Sequence, residues 1–113
     1  MPESDRLQLV RDSYEGYATG DRGLVERSLA DDFVFSSPAD VGIDRATYFE
    51  RCWPNAESIA GFEYVRLVEV GDEVLVTYEA TRVDGTRFRN TEIFGFAGDR
   101  ISRVEVYFGW NLA

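Results

Sequence analysis

The chain has 113 residues and a net charge of −9, and 44% of its residues are hydrophobic. This hydrophobic content argues against disorder, and the length suits one folded unit, so we expect a single domain over residues 1–113. The acidic balance disfavours nucleic acid and anionic membranes as partners, because both carry negative charge.

Cysteine and histidine usage restricts the possible chemistry. The only cysteine is Cys52, and no histidine occurs. A lone cysteine rules out an intrachain disulfide and fits a reducing compartment, so we expect a cytoplasmic location. Without histidine, Ser-His-Asp and Cys-His catalysis are excluded and a zinc site is disfavoured. We therefore expect no metal site. The charged N-terminal stretch lacks the apolar core of a signal peptide.

The first half of the chain predicts three helices. Ser4 caps the first helix, Thr19-Gly20 ends it, and Asp21 caps the second. Asp44 caps the third helix, which Pro54 ends because proline cannot continue a helix. Apolar spacings of three and four place one face of each helix inward. The inward residues are Leu7, Val10, Tyr14, Tyr17, Leu24, Val25, Ser28, Leu29, Tyr48, Phe49, Cys52 and Trp53.

A short strand and a loop lie between the second and third helices. Phe33-Val34-Phe35 is the predicted strand, and the loop follows over residues 36–40. Pro38 holds Ser37 extended at a position suited to the rim of a pocket. Without a histidine, Ser37 lacks the usual base of a nucleophile, so it either hydrogen-bonds a ligand or only shapes the turn.

The second half predicts four strands of β-branched and aromatic residues, separated by Gly-Asp and Asp-Gly turns. The strands span Phe62–Val70, Glu73–Val83, Thr86–Phe96 and Arg100–Phe108. Short turns join neighbouring antiparallel strands, so these four form a meander. Helices followed by strands are typical of an α+β fold. We expect the helices to cover a curved antiparallel sheet and to enclose a small, mostly apolar pocket.

Alternation along the strands separates an inner from an outer face. The inner face is apolar except for Asn90 and Glu92. Its members are Val74, Val76, Tyr78, Ala80, Phe88, Asn90, Glu92, Phe94, Val104, Val106 and Phe108. The outer face is polar but includes Tyr107 beside arginines such as Arg89. We expect this outer face to form the interface of a homodimer.

Glu92 is the main candidate for chemistry. Burial of a carboxylate is costly unless it is paired, and desolvation raises its pKa toward neutrality, which suits proton transfer. Asn90, on the same face, can hydrogen-bond a ligand. Two alternatives stay open: Glu92 pairs with Arg87 or Arg89, or a bulge shifts the alternation and turns Glu92 outward.

Aromatic side chains complete the predicted pocket. Tyr14 and Tyr17 can direct their hydroxyl groups into it while their rings pack, although core packing alone remains open for both. Tyr78 faces the pocket from the sheet, and Trp110 covers it near the C-terminus. The predicted substrate-binding residues are Asn90, Ser37, Tyr17, Trp53, Tyr78, Phe94 and Phe108.

Several short segments resemble the nuclear transport factor 2-like superfamily, of the SnoaL-like and ketosteroid-isomerase-like kind. The resemblance runs from about Leu7 to Trp110 and indicates a bacterial branch. The segments that carry it are Ala18-Thr19-Gly20-Asp21, Leu29-Ala30-Asp31-Asp32-Phe33, Ser37-Pro38, Phe94-Gly95-Phe96, Asp99-Arg100-Ile101 and Tyr107-Phe108. It implies a cone-shaped fold, usually a homodimer, with a pocket at its wide end that commonly works without a cofactor.

The resemblance carries over only in part to individual residues. The aspartate base of ketosteroid isomerase-like enzymes corresponds to Ser37 here. Glu92 falls at the position of their oxyanion-binding acid, and Tyr14 lies one residue from their oxyanion-binding tyrosine. The aspartate that related epoxide hydrolases place near Val106 is missing.

Two hypotheses follow. The first is a cofactor-independent isomerase, cyclase or hydrolyase for a small apolar carbonyl compound, with Glu92 as the acid-base group and Tyr14 and Asn90 assisting. In this hypothesis a neutral Glu92 can donate to a developing enolate. The second is a non-catalytic module that binds a small ligand or a protein, which the serine at position 37 favours.

Overall fold

The computed structural model describes residues 4–112 and has the predicted α+β architecture. Three α-helices and a 3-10 helix accompany six strands. In chain order the elements are α1 (Asp5–Thr19), α2 (Arg22–Ser28), β1 (Leu29–Ser36), β2 (Ile43–Asp44), α3 (Arg45–Arg51), the 3-10 helix (Trp53–Ser58), β3 (Ile59–Val70), β4 (Glu73–Arg82), β5 (Arg87–Ala97) and β6 (Arg100–Leu112). None of the helices within residues 4–112 has the length and apolar character needed to cross a membrane.

All three predicted helix starts are confirmed. The side chains of Ser4, Asp21 and Asp44 each accept a hydrogen bond from the backbone N–H three residues later, over 3.2, 3.1 and 2.8 Å. These bonds satisfy N–H groups that would otherwise lack a partner at the start of a helix. Gly20 ends α1 with a φ of 73°, a left-handed conformation that glycine adopts without strain.

The third helix ends earlier than predicted. Its final backbone bond runs from the N–H of Cys52 to the carbonyl of Tyr48, and a 3-10 helix then begins at Trp53. Pro54 has no N–H to donate to the carbonyl of Glu50, so α-helical bonding cannot reach residue 54. The chain therefore tightens before the proline, and Trp53 belongs to a separate turn.

The sheet has the strand order β2-β1-β6-β5-β4-β3. Strands β3 to β6 form the predicted antiparallel meander. Strand β1 pairs in parallel with β6, which makes the whole sheet mixed, and the two-residue β2 pairs with β1. The sequence did not predict β2 or the parallel pair, because the latter joins segments separated by most of the chain.

The predicted alternation of the strands is confirmed where they meet the helices. The inner-face residues Val74, Val76, Tyr78, Ala80, Phe94, Val104 and Val106 are all buried. They pack against buried residues of the helices and of β1, which include Val10, Tyr14, Val25, Phe33 and Phe49. The apolar inner face and the helices therefore enclose one common core.

A β-bulge at Gly109 ends this alternation near the C-terminus. Asn90 is paired with Phe108, but Arg89 is paired with Trp110, so Gly109 is the extra residue. A Cβ atom at position 109 would lie 2.1 Å from the carbonyl oxygen of Arg89, so only glycine fits. The bulge turns Trp110 to the outer face, where it is 62% exposed and its ring lies 5.3 Å from the Arg89 guanidinium. Trp110 therefore does not cover the pocket, contrary to the expectation.

Replacing Gly109 with alanine should destabilise the protein by about 1–3 kcal/mol, because the new methyl group displaces the backbone of β5. Gly61→Ala is the matched control, since a Cβ there would meet no atom within 4 Å. Chemical denaturation of both variants measures the difference. Equal stabilities for Gly109→Ala and Gly61→Ala would contradict the steric role of Gly109.

Candidate functional site

A cavity of about 270 Å³ lies between the helices and the inner face of the sheet. Its lining is predominantly aromatic. The aromatic lining residues are Tyr14, Tyr17, Phe33, Phe35, Tyr48, Phe62, Tyr78, Phe88, Phe94 and Phe108. Polar groups enter this lining at a few points, among them Ser37, Asn90 and Glu92. Such a combination is typical of a site for a small organic molecule.

Glu92 lies in the middle of β5 and lines the cavity, as predicted. The Tyr14 hydroxyl donates a hydrogen bond of 2.9 Å to Oε1, and the Tyr78 hydroxyl donates one of 2.8 Å to Oε2. Arg87 and Arg89 instead pair with Glu79 on the outer face. The alternative in which an arginine neutralises Glu92 is therefore wrong, and two phenols solvate its carboxylate.

Burial and hydrogen bonding act in opposite directions on Glu92. Removal from water raises its pKa, while the bonds from Tyr78 and Tyr14 lower it, and the net pKa is higher than usual. Burial and the nearby Glu92 charge also raise the pKa values of Tyr14 and Tyr78. Both phenols therefore keep their protons and act as donors. Each carboxylate oxygen retains acceptor capacity for a ligand.

Asn90 connects this carboxylate to the β-bulge. Its Oδ1 accepts a 3.1 Å hydrogen bond from the N–H of Gly109, which fixes the orientation of the amide. Its Nδ2 then donates to the Tyr78 hydroxyl oxygen over 3.4 Å. Because the amide occupies an acceptor position of that oxygen, the Tyr78 proton is directed to Glu92. Asn90 thus lines the cavity and also orients a partner of Glu92.

A second polar group in the cavity consists of two tyrosines. The hydroxyls of Tyr17 and Tyr48 are in hydrogen-bond contact, and both residues line the cavity. Trp53 is not among the lining residues, because the turn at Pro54 places its ring against Tyr17, at a centroid distance of 5.1 Å. The sequence placed Tyr48 on the inward face of α3 but did not identify it as a site residue. Its inward phenol was the available signal.

The remaining predicted residues lie at different depths. Phe94 is buried on the inner face of β5, whereas Phe108 is 59% exposed although it lines the cavity. The Ser37 Oγ accepts bonds from the backbone N–H groups of Ala39 and Asp40, each at 3.2 Å. The Ser37 hydroxyl oxygen thus accepts hydrogen bonds within the turn, which agrees with the interpretation of Ser37 as a residue that shapes the turn.

Cys52 also lines the cavity. Burial raises the pKa of its thiol to about 11, so it remains protonated near neutral pH. Within residues 4–112, no cluster of three or more Asp, Glu, His or Cys side chains is arranged to hold a metal ion.

The family model for the SnoaL-like domain matches residues 10–104. The chain belongs to the SnoaL-like family. This family is part of the nuclear transport factor 2-like superfamily, so the resemblance noted in the sequence is confirmed. The sequence has no significant match among curated proteins.

Solved structures share the fold of this SnoaL-like chain at low sequence identity. A protein from Kribbella flavida superimposes with a TM-score of 0.82 at 18% identity, over 95% of this chain and 88% of the other. A candidate ketosteroid isomerase from the same organism has a TM-score of 0.78 at 17% identity, over 93% and 78%. TerC, co-crystallised with polyporic acid, has a TM-score of 0.72 at 20% identity, over 94% and 92%. These similarities establish the cone-like fold alone.

Removing the hydroxyl of either tyrosine that donates to Glu92 should raise the pKa of Glu92 further, because the charged carboxylate loses a hydrogen bond. We expect this of both Tyr14→Phe and Tyr78→Phe, together with a loss of about 1.5–3 kcal/mol in the free energy of unfolding at neutral pH. NMR titration of the Glu92 carboxyl group measures the pKa.

Tyr107→Phe is the matched control, since it removes an exposed phenol that donates to Glu105 on the outer face. It should leave the pKa of Glu92 unchanged. An unchanged Glu92 pKa in both Tyr14→Phe and Tyr78→Phe would contradict the assigned hydrogen bonds.

The raised pKa of Glu92 also predicts how stability depends on pH. The pKa of Glu92 is higher in the folded state than in the unfolded chain. The contribution of Glu92 to the free energy of unfolding is therefore full in acid and declines as the pH rises from the unfolded-state pKa to the folded-state pKa.

Proposed function

We propose that this protein is a cofactor-independent enzyme of the isomerase, cyclase or hydrolyase type, which moves a proton on a small, largely apolar carbonyl compound. The observation that carries this proposal is a carboxylate held by two phenols in an aromatic cavity, with no basic partner among residues 4–112. A raised pKa makes Glu92 a stronger base than an exposed carboxylate. The cavity volume suits a compound of one or two rings.

The proposed step is proton transfer between Glu92 and a carbon next to the carbonyl group. The carboxylate takes the proton, the C–H electron pair enters the carbonyl system as an enolate, and Glu92 becomes a neutral acid. Where a carbon–carbon double bond adjoins the deprotonated carbon, the enolate extends over it, and return of the proton to the far carbon of that bond completes an isomerisation and restores the carboxylate. Tyr14 and Tyr78 orient the carboxylate throughout, because each holds one of its oxygens.

The structure favours Glu92 over Ser37 as the base. The Ser37 oxygen already accepts two backbone hydrogen bonds in its turn, and a serine without a histidine has no group to take its proton. The two phenols donate hydrogen bonds to Glu92 and so stabilise its ionised form. This supports a carboxylate that accepts a proton in the first step. The neutral Glu92 that results can then act as the acid.

Proton abstraction can be tested before the natural substrate is known. In heavy water, 2-tetralone and related small ketones should exchange their α-protons faster with the protein than in buffer, followed by NMR. Glu92→Gln should lower this enzyme-dependent rate by about 10²–10⁴-fold. Glu105→Gln, on the outer face, is the matched control and should retain the rate. The rate should rise with pH through the elevated pKa of Glu92, because only the carboxylate is a base.

The second candidate function is a non-catalytic module that binds the same class of compound or a protein. The turn-forming use of the Ser37 hydroxyl favours it, since this is the position of the base in the enzymes that the chain resembles. Ketones that bind without any α-proton exchange, or exchange that persists in Glu92→Gln, would contradict the enzymatic proposal. The first of these results would support the binding module.

We also propose a homodimer through the outer face of the sheet, in a cytoplasmic protein. Tyr107 and Trp110 are 52% and 62% exposed on this face, beside arginine and glutamate side chains that suit a partly polar interface. Light scattering at micromolar concentration should give the mass of a dimer, and Trp110→Glu should shift it toward the monomer. Val83→Glu, at a position 70% exposed beside a hairpin turn, should remain dimeric. A monomeric wild-type protein would refute the interface.

A further inference from the structure

We propose that Tyr17 and Tyr48 form a second binding point in the cavity and donate one hydrogen bond to a carbonyl oxygen of the ligand. This inference rests on the proposed function and adds the class of substrate. With Glu92 as acceptor and the tyrosine pair as donor, the preferred ligand is a small, uncharged compound. It carries a carbonyl group and, at a second position, an acidic hydrogen.

The proposal follows from counting hydroxyl protons. Burial raises the pKa values of both phenols, so the pair holds two protons near neutral pH. In the part of the chain that the structure describes, each hydroxyl has the other as its hydrogen-bond partner. One proton lies in their mutual bond, and the second has no acceptor among the described residues. It is available to an oxygen in the cavity.

The position of the pair makes this spare donor significant. Tyr48 is only 7% exposed, and the ring of Tyr17 packs against the Tyr48 and Trp53 rings. A buried donor without a partner costs about 1–3 kcal/mol, and an acceptor in the cavity relieves this cost. A carbonyl oxygen is a suitable acceptor because it carries two lone pairs and no proton.

The charges around the cavity disfavour anionic ligands. The carboxylate side chains of its lining are Glu92 and Asp40, and no arginine is among the described residues that line it. Asp40 is paired with Arg51, whose side chain lies outside the lining. A carboxylate or phosphate group inside would therefore meet the charge of Glu92, which has phenols and no cation as its partners among the described residues. Compounds that bind well should be neutral and largely apolar.

Simple aromatic probes separate the two binding points. Isothermal titration calorimetry should show 4-hydroxyacetophenone binding about three- to tenfold more tightly than 4-ethylphenol, which lacks the carbonyl oxygen. It should also bind more tightly than acetophenone, which lacks the proton donor for Glu92. The anion 4-hydroxybenzoate should bind most weakly.

The tyrosine variants give a pattern specific to a shared donor. Tyr17→Phe and Tyr48→Phe should each still bind 4-hydroxyacetophenone more tightly than 4-ethylphenol, because the remaining hydroxyl still has a proton for the ligand. The double variant Tyr17→Phe/Tyr48→Phe should lose this preference. Tyr107→Phe, outside the cavity, is the control, and circular dichroism establishes that each variant is folded. A double variant that does not fold leaves the wild-type comparison of the two probes as the test.

Three results would overturn the inference: equal affinities of the wild type for 4-hydroxyacetophenone and 4-ethylphenol, a preference that survives in a folded double variant, or no binding of either probe up to millimolar concentration. The proposed function fails separately. It would lose its basis if Glu92→Gln left α-proton exchange unchanged, whatever the tyrosine variants do.

Discussion

The site depends on one interaction, the solvation of a buried carboxylate by two phenols rather than by a cation. Tyr14 from α1 and Tyr78 from β4 each supply one donor to Glu92. An arginine in their place would hold the charge permanently and lower the pKa of the acid. Phenols compensate the charge only in part, so the carboxyl group retains a raised pKa and can exchange a proton within the cavity.

The sheet makes this possible by separating its charges between two faces. Arg87 and Arg89 belong to the same strand as Glu92, but their odd-numbered positions place them on the outer face, where Glu79 binds both. The strand thus carries two cations within five residues of the acid and keeps them out of the cavity. The bulge at Gly109 also helps to position the partners of Glu92, since the Gly109 N–H orients Asn90 toward Tyr78.

Local patterns account for what could be predicted. Helix caps at Ser4, Asp21 and Asp44 depend on a side chain and a backbone group three residues apart, so the sequence displays them directly. The inward direction of Glu92 follows from the two-residue period of a strand, which neighbouring Val and Phe positions establish. The mutual contacts of Tyr14, Tyr78 and Glu92 were not predictable, because they join segments as many as 78 positions apart.

The sequence by itself determined the α+β order, the antiparallel meander, the family and the presence of one acid on an apolar face. Each of these follows from periodicity, from turn chemistry or from resemblance. Only the tertiary structure decided the parallel pairing of β1 with β6, the outward turn of Trp110 and the pairing of Tyr17 with Tyr48. These depend on chain crossings, on a bulge and on packing between separate helices. No local pattern encodes such contacts, because their free energy exists only once distant segments are brought together.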